Sequence, residues 1–284
     1  MSEPIVSIAG LFVHPVKSCA RIAVDQALVT ETGLEWDRQW MVVDEGGVLV
    51  TQREQPRLAL VQPTLRTNDL LLRAPGMLAL HLALDAVERD TRVRVWNDEL
   101  RAGDMGDLAA QWFSDFLGMR VRLARFDPEV ERVCDPRWTR DARALTAFAD
   151  AFSLLVLSSA SIANLNERLQ SRGGAAVQSD RFRPNIVLDG LDAHGEDWLD
   201  RIELDGPDGS VVLRVVKPCT RCSIPDVDPQ RGAPDQAVGA ELAAYRADAR
   251  MDGGITFGMN AIIEQGFECL LRVGTQGRVT IRFD

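Results

Sequence analysis

The sequence predicts a β-rich α+β protein. Three observations carry this: short apolar runs crowd the first 100 residues, one clear helical period follows them, and the second half returns to Val/Ile/Leu-rich runs around a second helix. In order, Ile5–Val13, Ile22–Val29, Trp40–Asp44, Val48–Thr51 and Leu58–Leu65 read as strands, with Gly46-Gly47 as a hairpin turn. Further runs fall at Leu70–Arg73, Leu78–Leu84 and Val93–Trp96, with Pro75-Gly76 as a turn. Short strands at this spacing point to a barrel or sandwich rather than a parallel sheet.

Over Asp107–Leu117 the period changes. Leu108, Trp112, Phe113, Phe116 and Leu117 share one helical face, and Gly118 follows as a C-terminal cap. Residues 127–150, rich in Asp, Arg and Pro, read as a linker or long surface loop. Leu154–Leu157 resumes as a strand, and Ser158 caps a helix carrying Ile162, Leu165 and Leu169. Ile186–Leu188, Ile202–Leu204 and Val211–Val216 are strands, Ala237–Ala247 is a helix, and Glu268–Val273 with Val279–Phe283 forms a closing hairpin. The expected division is an N-terminal β-barrel-like domain over 1–125 and a second domain over 126–284.

Composition bounds the function. With 284 residues, 46% hydrophobic and 26% charged, the chain can bury a full core without staples. The 32 basic and 42 acidic residues leave a net charge of −10, which disfavours nonspecific nucleic-acid binding. Five cysteines, an odd number, suit free thiols in a reducing compartment. The opening MSEPIVSIAGLFV is too polar for a signal or anchor, and no run of 18 apolar residues occurs, so a cytoplasmic protein with no membrane partner is expected.

Only two of the 32 basic residues are lysines, Lys17 and Lys217. Ammonium and guanidinium are not interchangeable where a site measures shape, so the two lysine segments are expected to line one constrained site. Lys217 precedes the single Cys-x-x-Cys, Cys219-Thr220-Arg221-Cys222. Structural zinc needs four ligands, and Cys19, Cys134, Cys269 and the three histidines form no second pair. A thioredoxin-type pair needs a helix at once, which Pro225 and Pro229 oppose, and the spacing for an iron–sulfur cluster is missing. What remains is one or two thiols at a strand end beside Arg221 and Lys217, whose cations favour thiolate, a soft metal ligand.

These residues resemble a known signature. Val215-Val216-Lys217-Pro218-Cys219-Thr220-Arg221-Cys222, then Val227-Asp228-Pro229 and Gly232, is similar to that of MOSC domains, the molybdenum cofactor sulfurase C-terminal type. His14-Pro15-Val16-Lys17-Ser18 and Asp37-Arg38-Gln39-Trp40 resemble the β-barrel domain that precedes MOSC in one subgroup. Phe182-Arg183-Pro184-Asn185-Ile186-Val187 and Glu196-Asp197-Trp198 resemble the middle of MOSC. The subgroup is that of the mitochondrial amidoxime-reducing component and its bacterial relatives.

The resemblance implies a MOSC β-barrel behind the N-terminal domain, with the first 40 or so residues folding back onto the cofactor site. It implies the molybdenum cofactor (Mo-molybdopterin), Cys222 as metal ligand and catalytic residue, and a cofactor site of Lys17, Ser18, Arg38, Arg183, Asn185, Thr220, Arg221 and Cys222. The implied activity is reduction of N-hydroxylated compounds; a cofactor carrier and a sulfur-relay module are the alternatives. Pyridoxal phosphate binding attaches only to the family at large. Asp150 resembles a segment near the cofactor in relatives, and Pro225-Asp226 departs from the family's Thr-Thr, which would set a negative charge near the pocket. No Gly-x-Gly-x-x-Gly fingerprint or four-cysteine motif is present, so an external flavoprotein or iron–sulfur protein is the expected electron donor for a small-molecule substrate.

Overall fold

Val6, Ile8, Leu11 and Val13 alternate inward along Ile5–Val13 (β1), with a register shift between Ile8 and Gly10 that keeps both halves facing the core. The computed structural model describes residues 5–282, so Phe283 of the expected closing strand lies outside the described residues. β1 joins six later strands: Leu154–Ser158 (β2), Ile186–Asp189 (β3), Leu199–Gly206 (β4), Gly209–Thr220 (β5), Gly254–Gln265 (β6) and Gln276–Ile281 (β7). Their order is β2-β3-β1-β7-β4-β5-β6, and pairing of β6 with β2 (Leu154 opposite Ala261) closes a seven-stranded barrel. Only β2 and β3 run parallel, and the helix Ser159–Ser171 provides the crossover such a pair requires. Val156, Ile186, Ile202, Leu213, Val215, Met259 and Val279 fill the interior beside the β1 residues.

The rest of the first half packs separately. Trp40–Asp44, Val121–Phe126, Asp98–Asp104 and Arg89–Val95 form a four-stranded sheet, and Gln62–Leu65, Asp69–Arg73 and Leu80–Ala83 a three-stranded one. The helix Asp107–Leu117 buries Trp112, Phe113, Phe116 and Leu117 between them and ends on Gly118 in the left-handed conformation, as expected. Leu108, assigned to the same face, is instead 69% exposed.

Several expectations are corrected. Residues 127–143 run mostly exposed between the two halves, but the segment as a whole is no surface loop: Cys134 and Ala144–Ala149 are buried, and the Arg132 guanidinium gathers the carbonyls of Ala147, Ala149 and Asp150 while its Nε donates to Asp98 at 2.8 Å. Charge and irregular backbone are buried there because one arginine satisfies the carbonyls. The C-terminal hairpin does not form: Leu270–Arg272 pairs with Gln26–Thr30, and β7 lies between β1 and β4. Ile22–Val29 breaks at Asp25, Leu58–Leu65 splits into a 3-10 turn (Pro56–Leu60) and a strand, and the Ala237 helix ends at Ala243. Val48–Thr51 makes only isolated bridges. The strands at Asp98–Asp104, Val121–Phe126 and β6 carry no expectation above.

Candidate functional site

β1 ends at Val13, and the chain turns across the barrel's mouth. His14 N–H donates to Asp37 Oδ1 at 2.8 Å, Val16 bridges Trp40, and Lys17 N–H donates to the Trp40 carbonyl at 2.7 Å. These bonds hold Ser18 at φ 69° and send the Lys17 side chain inward. Its Nζ donates to the Phe148 carbonyl at 2.7 Å and to Asp150 Oδ1 at 2.6 Å. Burial lowers the Lys17 pKa, and the Asp150 carboxylate partly restores it. Although the Asp150 side chain stays 68% accessible, the cleft walls push its carboxyl up, but the Lys17 ammonium outweighs them and holds the group below the usual carboxylate range.

Arg38, at φ 49°, reaches across to the barrel. Its Nη1 donates to Asp37 and to Asn185 Oδ1 (2.9 Å), and its Nη2 to the Arg183 carbonyl at 3.0 Å. Asn185 Oδ1 also accepts from Leu155 N–H (3.1 Å), and its amide donates to the Phe12 carbonyl (3.3 Å). Asn185 thus spends its hydrogen bonds on joining β1, β2 and Arg38. Arg183 stands in the left-handed conformation and donates to the Cys19 carbonyl at 2.6 Å, while its Nη2 is buried with no partner. Burial and then the neighbouring Arg38 push its pKa down to about 10. His14 Nε2 lies 3.2 Å from the Pro184 carbonyl, and burial with the Arg38 and Arg183 charges keeps the ring neutral.

β5 delivers the thiols. Cys219 lies in the strand and Thr220 at its end, while Cys222 is exposed just beyond. Burial raises the Cys219 thiol pKa, which favours the neutral form. Arg221 N–H donates to the Ile255 carbonyl at 2.8 Å, and its guanidinium donates to the carbonyls of Phe257 and Phe182 (3.1 Å for the latter). It is a clamp that ties the Cys222 loop to β6 and to the turn before Arg183. Next to this clamp, Gly258 stands at φ +77° where a Cβ would sit 2.9 Å from the Val156 carbonyl, so the close β6–β2 approach needs glycine.

All eight expected residues line one cleft of about 260 Å³. Its lining holds Lys17, Arg38, Arg53, Arg181, Arg183 and Arg221 against a single carboxylate, Asp150, so a strongly basic cleft sits in an acidic protein. Two expectations fail in detail. Lys217 does not line the cleft; its Nζ lies 5.2 Å over the Trp138 ring. Asp226 does not line it either; its Oδ1 accepts from Gly239 N–H at 2.6 Å. Arg221 lines the cleft with its guanidinium already committed to carbonyls. Sequence reasoning missed Trp96 and Arg181, which lie in no recognisable motif; a bulky residue in a two-residue turn at Trp96 was the only available signal.

The chain matches the MOSC N-terminal beta barrel domain over residues 5–120 and the MOSC domain over residues 145–280. It is 36% identical over 258 residues to mitochondrial amidoxime-reducing component 1 of Mus musculus, covering 86% of this chain and 72% of that protein. It is 35% identical over 254 residues to mitochondrial amidoxime reducing component 2 of Bos taurus, covering 86% and 73%. Similarity to molybdenum cofactor sulfurase of Homo sapiens, at 29% identity over 286 residues, covers 95% of this chain and 32% of that protein. With both domains matched in order along the chain that builds this basic cleft, the chain belongs to the MOSC family, in the group that carries the N-terminal beta barrel domain.

Proposed function

We propose that this chain is a molybdenum-cofactor-dependent reductase of N-hydroxylated compounds: hydroxylamines, amidoximes and N-hydroxylated bases. The observation that carries the reading is the meeting of the exposed Cys222 thiol with Lys17, Arg38 and Arg183 in one cleft. Relatives named amidoxime-reducing component support it.

The residues fit a phosphorylated pterin that brings a metal. Arg183 keeps a buried donor without a protein acceptor, and the lining cations outnumber the one carboxylate. Lys17, Ser18, Arg38 and Arg183 would hold the phosphate, the ammonium as a point donor and the guanidinium groups as forks. Cys222 would ligate molybdenum as thiolate, while desolvation raises the pKa of the half-buried Cys219 thiol and disfavours its thiolate. Bound, the cofactor supplies two-electron chemistry, and the net reaction takes up two electrons and two protons, breaks the N–O bond and releases water. Asp150 orients the Lys17 ammonium, Asn185 orients Arg38, and the Thr220-Arg221 backbone carries the thiol to the cleft. The electrons come from a separate flavoprotein or iron–sulfur protein, and the five cysteines, all unpaired, suit a reducing cytoplasm.

One observation favours a second reading: an exposed thiol at Cys222 in a chain similar to a cofactor sulfurase fits sulfur relay, with Cys222 carrying a persulfide. Elemental analysis and turnover separate the readings. One molybdenum and one pterin per chain, with reduction of an amidoxime by a dithionite-reduced viologen, supports the reductase. Metal without turnover points to a cofactor carrier, and a persulfide without metal to sulfur relay.

A further inference from the structure

Trp96 sits in the two-residue turn between Arg89–Val95 and Asp98–Asp104, where Val95 pairs with Asp98. Its φ is 55°, whereas Asn97 is not among the residues of positive φ. A turn of this kind normally places glycine at its first position. A bulky aromatic held there is strained and needs a reason. Nor is the indole buried to build a core: Trp96 is 39% exposed.

Its surroundings supply the reason. The indole Nε1 donates to Asp150 Oδ1 at 3.2 Å, the same carboxylate oxygen that receives Lys17. The Arg53 guanidinium lies 4.4 Å over the ring. Trp96, Arg53 and Thr51 line both the basic cleft and a more open groove of about 600 Å³ that continues outward past Leu49, Arg94 and Glu99. Trp96 and Arg53 therefore form one wall at the junction of groove and cleft. The guanidinium covers one indole face and the Lys17 ammonium lies 5.8 Å from the ring centroid, so the wall is a planar, cation-edged aromatic stack, which favours flat conjugated groups over flexible saturated ones.

The geometry points to Trp96 as a specificity-determining residue: the groove is a substrate subsite, and its Trp96–Arg53 wall selects N-hydroxy compounds whose reacting nitrogen is attached to a planar conjugated group. This rests on the reductase reading above.

The test compares benzamidoxime with a saturated aliphatic hydroxylamine, N-cyclohexylhydroxylamine, in wild type, Trp96→Ala and Trp96→Phe, all loaded with cofactor and normalised to molybdenum content. In Trp96→Ala the ratio of kcat/KM for the aromatic over the aliphatic compound falls about tenfold, the size expected for losing one stacking surface. The fall is carried by KM for benzamidoxime, and Trp96→Phe, which keeps a ring but loses the N–H, recovers most of it. Calorimetric titration of benzamidoxime into each protein gives a readout independent of turnover, and affinity follows the same order. An unchanged ratio with unchanged benzamidoxime affinity overturns the proposal, as does equal loss in Trp96→Phe and Trp96→Ala, which would assign the effect to the bond with Asp150. If wild type turns over neither compound, the reductase reading fails, and the titration still decides whether Trp96 binds planar ligands.

Discussion

Arg38 Nη1 lies 2.9 Å from Asn185 Oδ1, across 147 residues of sequence. The bond joins the turn ahead of the Trp40–Asp44 strand to the Arg-Pro-Asn turn ahead of β3, and with it the two sides of the basic cleft. An arginine held in this way is pre-organised for an anion before any anion arrives, so less ordering is left for the ligand to impose.

Lys17 tests the anion side. Its ammonium is disfavoured by burial, and its carboxylate partner is 68% exposed, so the pair contributes little to folding. Lys17→Ala is expected to lower molybdenum and pterin content severalfold while the melting temperature of the cofactor-free protein stays near that of wild type. A large fall in melting temperature with full cofactor content would make Lys17 structural.

Arg221 should behave in the opposite way. Its removal strips donors from the Phe182 and Phe257 carbonyls, at a cost of about 1–3 kcal/mol. Arg221→Ala is therefore expected to lower the melting temperature of the cofactor-free protein and to speed alkylation of Cys222, as its loop loosens. A variant that loses cofactor with no change in either would show that Arg221 acts on the ligand directly.

His194 makes a pH prediction remote from the cleft. Burial, and next the Arg246 charge, push its pKa down to about 4, below the ordinary histidine value of 6.5. Between these values the unfolded chain binds the proton that the folded chain refuses. The contribution is thus fully present above pH 6.5 and is lost as pH falls through about 4. The melting temperature of wild type should drop more steeply over this window than that of His194→Gln; parallel curves would refute the assignment.

Electron supply gives a further expectation. Cofactor-loaded protein should reduce amidoximes with reduced viologen and fail with NADH alone, because the sequence holds no dinucleotide fingerprint. A flavoprotein or iron–sulfur donor should restore NADH-driven turnover. If it docks against the acidic surface of this chain, the rate should fall with added salt. Rapid NADH-driven reduction by the isolated chain would contradict an external donor.

The strands legible in the sequence are those whose apolar period is local, such as Ile5–Val13 and Trp40–Asp44, together with the capped helix at Asp107. The central strand β6 was not legible, because Gly258 and Asn260 interrupt its apolar residues. Pairing of Leu270–Arg272 with Gln26–Thr30 is set by tertiary packing, which no local pattern encodes. Burial of Ala144–Ala149 depends on one arginine, Arg132, rather than on hydrophobic period. Within the cleft, Lys17, Arg38, Arg183 and Cys222 were legible because each sits in a recognisable motif. Trp96 and Arg181 were not, since only the fold brings them to the same wall.

The central claim is that Cys222 holds molybdenum in the cleft. The most direct measurement is metal content by mass spectrometry in wild type, Cys222→Ser and Cys219→Ser, each produced with the cofactor supplied. The account predicts about one molybdenum per chain in wild type and in Cys219→Ser, because desolvation disfavours the thiolate of the half-buried Cys219, and a large loss in Cys222→Ser, where a hydroxyl replaces the thiolate. Full metal content in Cys222→Ser with loss in Cys219→Ser would contradict it.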